Sequence, residues 1–223
     1  MANNMTNLRP QAEDWDHFWS LDQTKRFTQI SCSKQRIMTV LDPFIKPGKS
    51  VLDAGCGSGF FSQYFADRGA QTVALDYSSE ALEIVKRLTQ GRVEAWQKDL
   101  LSPDFSTSID RKFDVIFSDG LLEHFSGEEQ NRILTNLRSV LKSDGVIVTF
   151  VPNQWSPWQI IRPFYMPGIK ETPFILSQLD SLHERNGLKV IRSGGVNVLP
   201  IKCSPEKLFG KKWGMLLFVI ARP

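Results

Sequence analysis

The sequence predicts an α/β fold in which a mostly parallel sheet carries helices on both faces. Three observations lead to this prediction. Strand-like and helix-like segments alternate from residue 50 to residue 153, the connections between them are short, and the first strand runs directly into three glycines at every second position. A chain that alternates in this way pairs its strands in parallel, because each helix returns the chain to the edge from which the next strand starts.

The strands are identified as short apolar segments bounded by glycine or polar residues. They are predicted at residues 50–55, 71–76, 92–97, 112–119, 144–153, 188–193 and 213–222. The helices are identified from apolar residues three and four positions apart, such as Phe61, Tyr64 and Phe65. They are predicted at residues 60–68, 78–90, 127–142 and about 177–186.

Two further segments are predicted to cover the sheet. Residues 10–40 are expected to form an N-terminal helical lid that presents Trp15, Phe18 and Trp19. Residues 152–176 contain five of the twelve prolines and many aromatic residues. Because a linker would be polar, this apolar segment is expected to fold over the sheet as a cap insertion. The whole chain of 223 residues is therefore expected to form a single domain.

The charge of the chain is small but unevenly placed. The net charge is +3. Residues 151–223 contain ten Lys/Arg against four Asp/Glu, a balance of +6, and residues 1–150 carry −3. The positive charge of residues 151–223 arises by chance or helps to hold an anionic substrate. No dense run of Lys and Arg accompanies it, so we expect no nucleic-acid partner.

The cysteines and the apolar segments indicate the compartment. Cys32, Cys56 and Cys203 are odd in number and widely spaced, which is typical of free thiols in a reducing environment. The first ten residues lack the apolar core of a signal peptide, and the apolar run at residues 215–221 is too short to cross a bilayer. We expect a cytoplasmic protein with no membrane partner.

The glycine turn after the first strand predicts a cofactor site. Gly55, Gly57 and Gly59 are spaced G-x-G-x-G, and a helix follows at once. Such a turn lets the backbone approach a ligand closely, while the N–H groups of the helix point towards it. Dinucleotide-binding turns are spaced G-x-G-x-x-G, but Phe60 stands where the third glycine would be. The spacing therefore disfavours NAD and FAD.

The turn resembles the first motif of class I methyltransferases that use S-adenosylmethionine. That motif places an acidic residue two positions before the glycines, as Asp53 stands before Gly55. Asp76 ends the second strand 21 residues after Gly55, where the resemblance implies that it accepts hydrogen bonds from the ribose hydroxyls. The segments "KDLLSP", "FDVIFSDGLLEHF" and "LKSDGVIVTFVPN" match later motifs of the family in order, so the resemblance covers roughly residues 35–153.

The resemblance implies a Rossmann-like, seven-stranded, mostly parallel sheet with helices on both faces and an antiparallel edge strand. It also implies that the cofactor is S-adenosylmethionine. The cofactor-binding residues that it indicates are Asp53, Gly55, Cys56, Gly57, Gly59, Asp76, Tyr77, Asp99, Leu100 and Ser118. Asp99 and the Leu100 backbone would lie on the adenine side, and Tyr77 would pack on the adenine face. The Ser118 backbone would meet the methionine part, and Cys56 would be a small residue beside the cofactor.

Methyl transfer from a sulfonium requires little from a catalytic residue. The electrophile is already activated, so the protein must mainly align the acceptor, and a base is needed only when the acceptor carries a proton. Asp119 and His124 are the candidate catalytic residues, at the carboxyl end of the fourth strand.

Some relatives bind a divalent metal through E-x-x-E-H at this point. This chain has Gly120 in place of the first glutamate, so we predict no metal. His183 is expected at the surface.

The expected acceptor is a small molecule. The N/D-P-P-Y-like tetrapeptide typical of enzymes that methylate amino groups of bases or glutamine is absent, and no cysteine nucleophile lies near the fourth strand. The cap offers aromatic residues for a planar or apolar acceptor, and basic residues for a carboxylate or phosphate. These are Trp155, Trp158, Phe164, Tyr165 and Phe174, and Arg162, Lys170 and Lys202.

Alternatives to this prediction stay open. The cap residues can equally serve packing or a dimer contact, and we expect a monomer or a homodimer. The acceptor can instead be a protein or an RNA. The chain can also be a cofactor-binding regulatory partner without catalytic activity, because binding motifs do not establish catalysis.

Overall fold

A computed structural model describes residues 10–165, 171–199, 201 and 204–223. For residues 162–165 it describes the backbone but not the side chains. Within these residues the chain forms the predicted seven strands. They are β1 (Ser50–Ala54), β2 (Gln71–Asp76), β3 (Glu94–Gln97), β4 (Phe113–Asp119), β5 (Leu141–Pro152), β6 (Lys189–Val196) and β7 (Leu216–Arg222). Their order is β3-β2-β1-β4-β5-β7-β6 in one sheet. The first five pair in parallel, and β7 is antiparallel to both of its neighbours, so the prediction of a mostly parallel sheet with an antiparallel edge is confirmed.

Eight α-helices accompany the sheet in the described part of the chain. They are α1 (Ala12–Ser20), α2 (Cys32–Leu41), α3 (Phe60–Asp67), α4 (Ser79–Thr89), α5 (Gly127–Ser139), α6 (Trp158–Tyr165), α7 (Leu176–Arg185) and α8 (Glu206–Trp213). Short 3-10 helices lie at Asp22–Thr28 and Leu122–His124. None of the described helices is long and apolar enough to cross a membrane.

The sheet is buried on both faces, as its continuous apolar strands predict. Successive residues of β1 enter different core clusters: Val51 packs with α2 and α3, whereas Leu52 packs with α5 and α7. A third cluster joins α4 to β2 through Val85 and Ala74. Strands covered by helices on both sides are typical of parallel sheets, because neither face is left for water.

The boundaries of the helices follow from local sequence. Ser78 is the N-cap of α4, and its hydroxyl accepts a hydrogen bond from the N–H of Ala81 at 3.2 Å. Ser126 and Glu129 form a capping box that begins α5. Gly69, with φ of +77°, follows the end of α3, as the sequence predicts.

Two elements differ from the prediction. The helix predicted at residues 127–142 ends at Ser139, because Leu141 already pairs with Phe113 as the first residue of β5. Helix α8 lies where no helix was predicted from the sequence. Only Gly210 of α8 is buried, and the missing side chain lets the helix rest on β6. A Cβ atom on Gly210 would lie 2.1 Å from the carbonyl oxygen of Gly195.

The expectation that His183 lies at the surface is wrong. His183 lies on the inner face of α7, and its side chain is fully buried. Its Nε2 atom is 3.0 Å from Thr149 Oγ1, and its Nδ1 atom is 2.8 Å from the carbonyl oxygen of Leu179. Burial lowers the pKa of His183 to about 4, so the ring is neutral at pH 7. His183 is a structural residue that links α7 to β5.

The segment after β5 folds back onto the sheet. Asn153 is fully buried and forms an isolated bridge with Phe174, so the two ends of residues 153–174 meet. The Asn153 amide donates hydrogen bonds to the carbonyl oxygens of Lys212 at 3.1 Å and Gly214 at 2.9 Å. The base of this segment is therefore fixed to the chain that enters β7.

Candidate active site

A cavity of about 720 Å³ opens at the carboxyl ends of β1, β2 and β4. Ligands bind at this edge of open α/β sheets, because the strand order reverses there and the connecting loops diverge. The cavity is bounded by the glycine turn, the strand ends, the N-terminal helices and the segment after β5. Its polar lining includes Lys34, Asp53, Asp76, Asp99, Asp119, Glu123, His124 and Glu171.

The glycine turn has the left-handed backbone that its sequence predicts. Gly55, Gly57 and Gly59 have φ values of +74°, +46° and +72°. At Gly57 the turn also leaves no room for a side chain, because a Cβ atom would lie 2.6 Å from the indole of Trp19. Only glycine combines this conformation with so close a neighbour.

Asp76 holds the turn in this shape. One carboxylate oxygen accepts a hydrogen bond from the N–H of Gly57 at 2.9 Å, and the other accepts one from the N–H of Ser78, also at 2.9 Å. Burial raises the pKa of Asp76, and these backbone N–H groups act against that rise. The residue predicted to bind ribose thus also joins β2 to the turn and to the start of α4.

Two further carboxyl groups face the cavity, and of these Asp53 is buried and Asp119 is half-buried. Asp53 accepts a hydrogen bond from the Ser62 hydroxyl at 2.6 Å, and burial raises its pKa to about 7. Burial also raises the pKa of Asp119 to about 7, while the charge of Lys34 acts against that rise. A cation in the cavity would stabilise the ionised form of both groups.

The residues predicted on the adenine side line the same cavity. Tyr77, Asp99 and Leu100 all contribute to its wall. Asp99 accepts a hydrogen bond from the N–H of Leu101 at 2.8 Å, which fixes the loop after β3. Ser118 is buried within β4, paired with a residue of β5, and it does not line the cavity; its role stays a prediction.

Cys56 is a buried thiol in the turn. Its Sγ atom lies 3.8 Å from the Asp76 carboxylate. Burial raises the pKa of Cys56 well above its usual value, and the neighbouring carboxylates act in the same direction. A protonated thiol is a poor nucleophile, so this geometry suits the predicted role of a small residue beside a ligand.

Lys34 also lines the cavity, although no sequence pattern singles it out. It lies on α2 and reaches the cavity, where its ammonium donates hydrogen bonds to the carbonyl oxygens of Gln29 at 2.8 Å and of Phe27. The Nζ atom is 4.0 Å from the centre of the Phe60 ring. Burial lowers the pKa of Lys34 to about 8, so it is mostly charged at pH 7. The cavity thus contains a cation suited to a carboxylate.

Helix α1 is docked against the cofactor side of the cavity. Asp16 accepts hydrogen bonds from the Ser78 hydroxyl at 2.6 Å and from the N–H of Glu80 at 3.2 Å, at the start of α4. Trp15 and Trp19 then line the cavity, and the Trp15 ring contacts the His124 ring edge-on at a centroid distance of 4.9 Å. The segment predicted as a lid therefore spans both halves of the cavity.

A group of metal-ligating residues lies on the opposite wall. Ligand atoms of Glu123, His124 and Glu171 all lie within 4.8 Å of one another. The N–H of Thr172 donates to the carbonyl oxygen of Glu123 at 2.8 Å, which brings Glu171 to this point. Carboxylates placed in this way suit a metal ion or an ammonium group equally, so the prediction of no metal stays a prediction.

The aromatic residues predicted in the cap take different positions. Trp158 lines the cavity, Phe174 is buried in the main core, and Trp155 is exposed to solvent. The side chains of Phe164 and Tyr165 lie outside the described residues. The same holds for the basic candidates Arg162, Lys170 and Lys202.

Comparison with known proteins agrees with this geometry. The sequence profile of a methyltransferase domain family matches residues 51–145. A methyltransferase of Synechocystis sp. described as uncharacterised is 30% identical over 157 residues, covering 66% of this chain and 70% of that protein. A ubiquinone biosynthesis O-methyltransferase of Haemophilus ducreyi is 31% identical over 105 residues, covering 45% of this chain and 44% of that protein. This chain thus spans less than half the length of the Haemophilus relative.

Solved structures share the fold at low sequence identity. A SAM-dependent methyltransferase from Archaeoglobus fulgidus superposes with a TM-score of 0.69 at 19% identity, covering 89% of this chain and 97% of that one. The methyltransferase in complex with the Haloferax volcanii Trm112 activator superposes with a TM-score of 0.71 at 15% identity. The match covers 96% of this chain and 97% of that one. The chain belongs to the class I S-adenosylmethionine-dependent methyltransferase family, as its motifs indicate.

Proposed function

We propose that the protein binds S-adenosylmethionine and transfers its methyl group to a small-molecule acceptor. The observation that carries the proposal is the single cavity, in which the predicted cofactor residues and the residues of the opposite wall share one space. Asp53, Asp76 and Asp99 line one part of it, and His124 and Trp158 line another. A donor and an acceptor bound there would be in contact, as group transfer requires.

The polar groups of the cavity suit the parts of this cofactor. Asp76 and Asp99 offer carboxylate oxygens to ribose hydroxyls and to the adenine side. Lys34 offers a cation to the carboxylate of the methionine part, and Asp53 and Asp119 offer carboxyl groups to its cationic groups. The bound cofactor supplies a methyl group on a positively charged sulfur. No other group is needed to activate it.

The protein's own contribution is positioning and exclusion of water. Trp15 and Trp19 cover the cofactor side, and Trp158 closes the cap side, so the acceptor would meet the methyl group away from bulk solvent. Where the acceptor loses a proton, His124 or Asp119 takes it, because both face the cavity. A bound cationic ligand favours the ionised form of Asp119, which is the form that accepts a proton.

The acceptor is proposed to be a small planar or apolar molecule. The aromatic wall formed by Trp15, Phe125 and Trp158 supports this. The name of the Haemophilus relative, an O-methyltransferase of ubiquinone biosynthesis, also supports a small acceptor. A ribosomal protein L11 methyltransferase from Dictyoglomus turgidum, 28% identical over 125 residues, keeps a protein acceptor as the second candidate. We further propose a cytoplasmic location, in line with the free thiols Cys32 and Cys56.

A screen with isotopically labelled donor tests this function. The protein is incubated with S-adenosylmethionine carrying a deuterated methyl group and with a cell extract separated into metabolites, proteins and RNA. A labelled metabolite is the expected product. At a limiting donor concentration its yield should fall with Asp76→Ala and stay unchanged with Asp67→Ala, which removes an exposed carboxylate on α3. Label found only in protein or RNA would favour the second candidate. Cofactor binding without label in any fraction would identify an inactive binding partner.

A further inference from the structure

One surface of the protein exposes large apolar side chains that a folded domain would ordinarily bury. It is formed by Trp155, by described residues of α6 and α8, and by Leu199 between β6 and α8, and we call it the α6–α8 surface. Its apolar members are Trp155, Ile160, Leu199, Leu208, Phe209 and Trp213. Leu208 is 80% exposed, Ile160 is 78% exposed and Trp155 is 62% exposed. Exposed apolar residues clustered in this way mark an interaction site.

Five of the six apolar members form a continuous patch, and the sixth, Leu208, is the sequence neighbour of Phe209. Trp155, Ile160, Leu199 and Trp213 line one shallow groove between α6 and α8. Phe209 lies one turn before Trp213 on α8, and the two rings stack at a centroid distance of 5.1 Å with an angle of 19°. Residues four apart lie on the same face of a helix, so α8 extends the groove with a second aromatic ring.

The packing of α8 explains why these side chains stay outside. The helix contacts β6 through Gly210, whose backbone lies against Gly195. Because the buried face of α8 is a glycine, its larger apolar residues point to its flanks and to solvent. Leu208 therefore gives nothing to the core, and folding alone does not explain an apolar residue there.

Lysines surround the apolar residues. Lys207, Lys211 and Lys212 are exposed on α8, and the Nζ atom of Lys212 lies 5.6 Å from the centre of the Trp213 ring. The acidic residue of this helix, Glu206, forms an ion pair with Arg36 at 3.0 Å, so its charge is already compensated. The surface combines apolar and aromatic side chains with three exposed lysines that form no ion pair within the described part of the chain.

We propose that the α6–α8 surface binds the headgroup region of an anionic phospholipid membrane. Tryptophan rings and leucine side chains enter the interface between headgroups and acyl chains, while lysines remain at the level of the phosphates. Each lysine near an anionic bilayer strengthens binding about fivefold at physiological salt. The sequence alone led us to expect no membrane partner, because it showed no spanning segment. Binding to a membrane surface requires none.

A second copy of the chain fits this surface less well. In a twofold contact through α8, the lysines of one helix would face those of the other, and like charges at an interface are costly. An anionic lipid surface supplies the opposite charge. The surface also adjoins the cavity, because Trp158 lines the cavity and Ile160, on the same helix, lies in the groove.

Vesicle flotation tests this proposal without reference to catalysis. The full chain is mixed with vesicles of phosphatidylcholine alone or with about one third phosphatidylglycerol, at low and at high salt. We expect flotation with the anionic vesicles only, and a marked loss at high salt, because salt screens the lysines. Absence of flotation with anionic vesicles at low salt would overturn the proposal.

Variants separate the apolar and the charged contributions. Leu208→Glu and the pair Lys211→Glu, Lys212→Glu should each reduce the bound fraction at least about tenfold, since each removes an attraction and adds a negative charge. Ile191→Glu, an exposed apolar position at the far end of β6, and Lys46→Glu, in the loop before β1, are the matched controls and should float like the parent.

Two outcomes would contradict the assignment of this surface to lipid. Flotation that is unchanged in Leu208→Glu and in the lysine pair would place binding elsewhere. A dimer in light-scattering measurements that Leu208→Glu dissociates, with no flotation of the parent, would assign the surface to a second copy. Thermal unfolding of each variant is measured alongside. Because these positions are exposed, the melting temperatures of the variants should match that of the parent. If Leu208→Glu is destabilised, Leu208→Ser replaces it.

Discussion

The carboxylate of Asp76 accepts a hydrogen bond from the N–H of Gly57 at 2.9 Å. This contact joins the end of β2 to the middle of the glycine turn. Its second oxygen accepts from the N–H of Ser78, which begins α4. One side chain therefore sets the positions of the two elements that shape the cavity around the glycine turn.

Removal of this side chain should weaken cofactor binding. Asp76→Ala is expected to reduce the affinity for S-adenosylhomocysteine by about 1–3 kcal/mol, because it leaves buried N–H groups and the ribose hydroxyls without an acceptor. Isothermal titration calorimetry measures the change. Asp67→Ala removes an exposed carboxylate that pairs with Arg92, and should leave the affinity unchanged. Equal affinities for parent and Asp76→Ala would remove Asp76 from the site.

Substitution of Gly57 should lower the stability of the fold for two reasons, the clash of a Cβ atom with Trp19 and the strain of a left-handed backbone, and the two contributions can be measured separately. Gly57→Ala places a Cβ atom 2.6 Å from Trp19 in a left-handed conformation, so we expect a loss of about 1–3 kcal/mol in the free energy of unfolding. Gly91→Ala has a similar φ, +74°, but nothing within 4 Å, so it reports the backbone cost alone. Urea unfolding gives both values. A Gly57→Ala cost no larger than that of Gly91→Ala would show that Trp19 does not pack on the turn.

Lys34 should recognise the amino-acid part of the cofactor. Lys34→Met is expected to weaken binding of S-adenosylhomocysteine about tenfold, the effect of losing one charge-assisted hydrogen bond. The same variant should bind methylthioadenosine, which lacks the carboxylate, as well as the parent does. Lys25→Met, an exposed lysine paired with Asp22, is the control. An equal loss for both ligands would mean that Lys34 acts on the shape of the site and not on the carboxylate.

Cofactor affinity should depend on pH. Asp53 and Asp119 have pKa values of about 7, and a cationic ligand binds their ionised forms. Binding should therefore release protons, and affinity should rise about five- to tenfold per carboxyl group between pH 6 and pH 7.5. Above pH 8 it should fall again, because Lys34, with a pKa of about 8, loses its charge. Titrations in two buffers of different ionisation enthalpy measure the proton release. Heats that do not depend on the buffer would contradict this linkage.

The part of the cavity around the glycine turn could be predicted from the sequence because its residues are close along the chain. Asp53 and the three glycines share one strand, turn and helix start, and Asp76 ends the next strand. Local geometry places such residues at one edge of the sheet, whatever the rest of the chain does. The spacing of the third glycine was enough to distinguish this turn from a dinucleotide-binding turn.

The rest of the site depends on tertiary contacts that have no local pattern. Lys34 comes from a helix before β1, and Glu171 meets Glu123 because the cap folds back through the Thr172 hydrogen bond. Neither position differs in sequence from an ordinary surface residue. His183 did carry a signal, since it lies four residues after the buried Leu179 and so on the inner face of α7.

The central claim is that the cavity binds S-adenosylmethionine. Calorimetric titration of the protein with S-adenosylmethionine, S-adenosylhomocysteine and NAD tests it most directly. We expect both sulfur compounds to bind at one site per chain and NAD to give no heat of binding. Binding of NAD together with no binding of either sulfur compound would contradict the account.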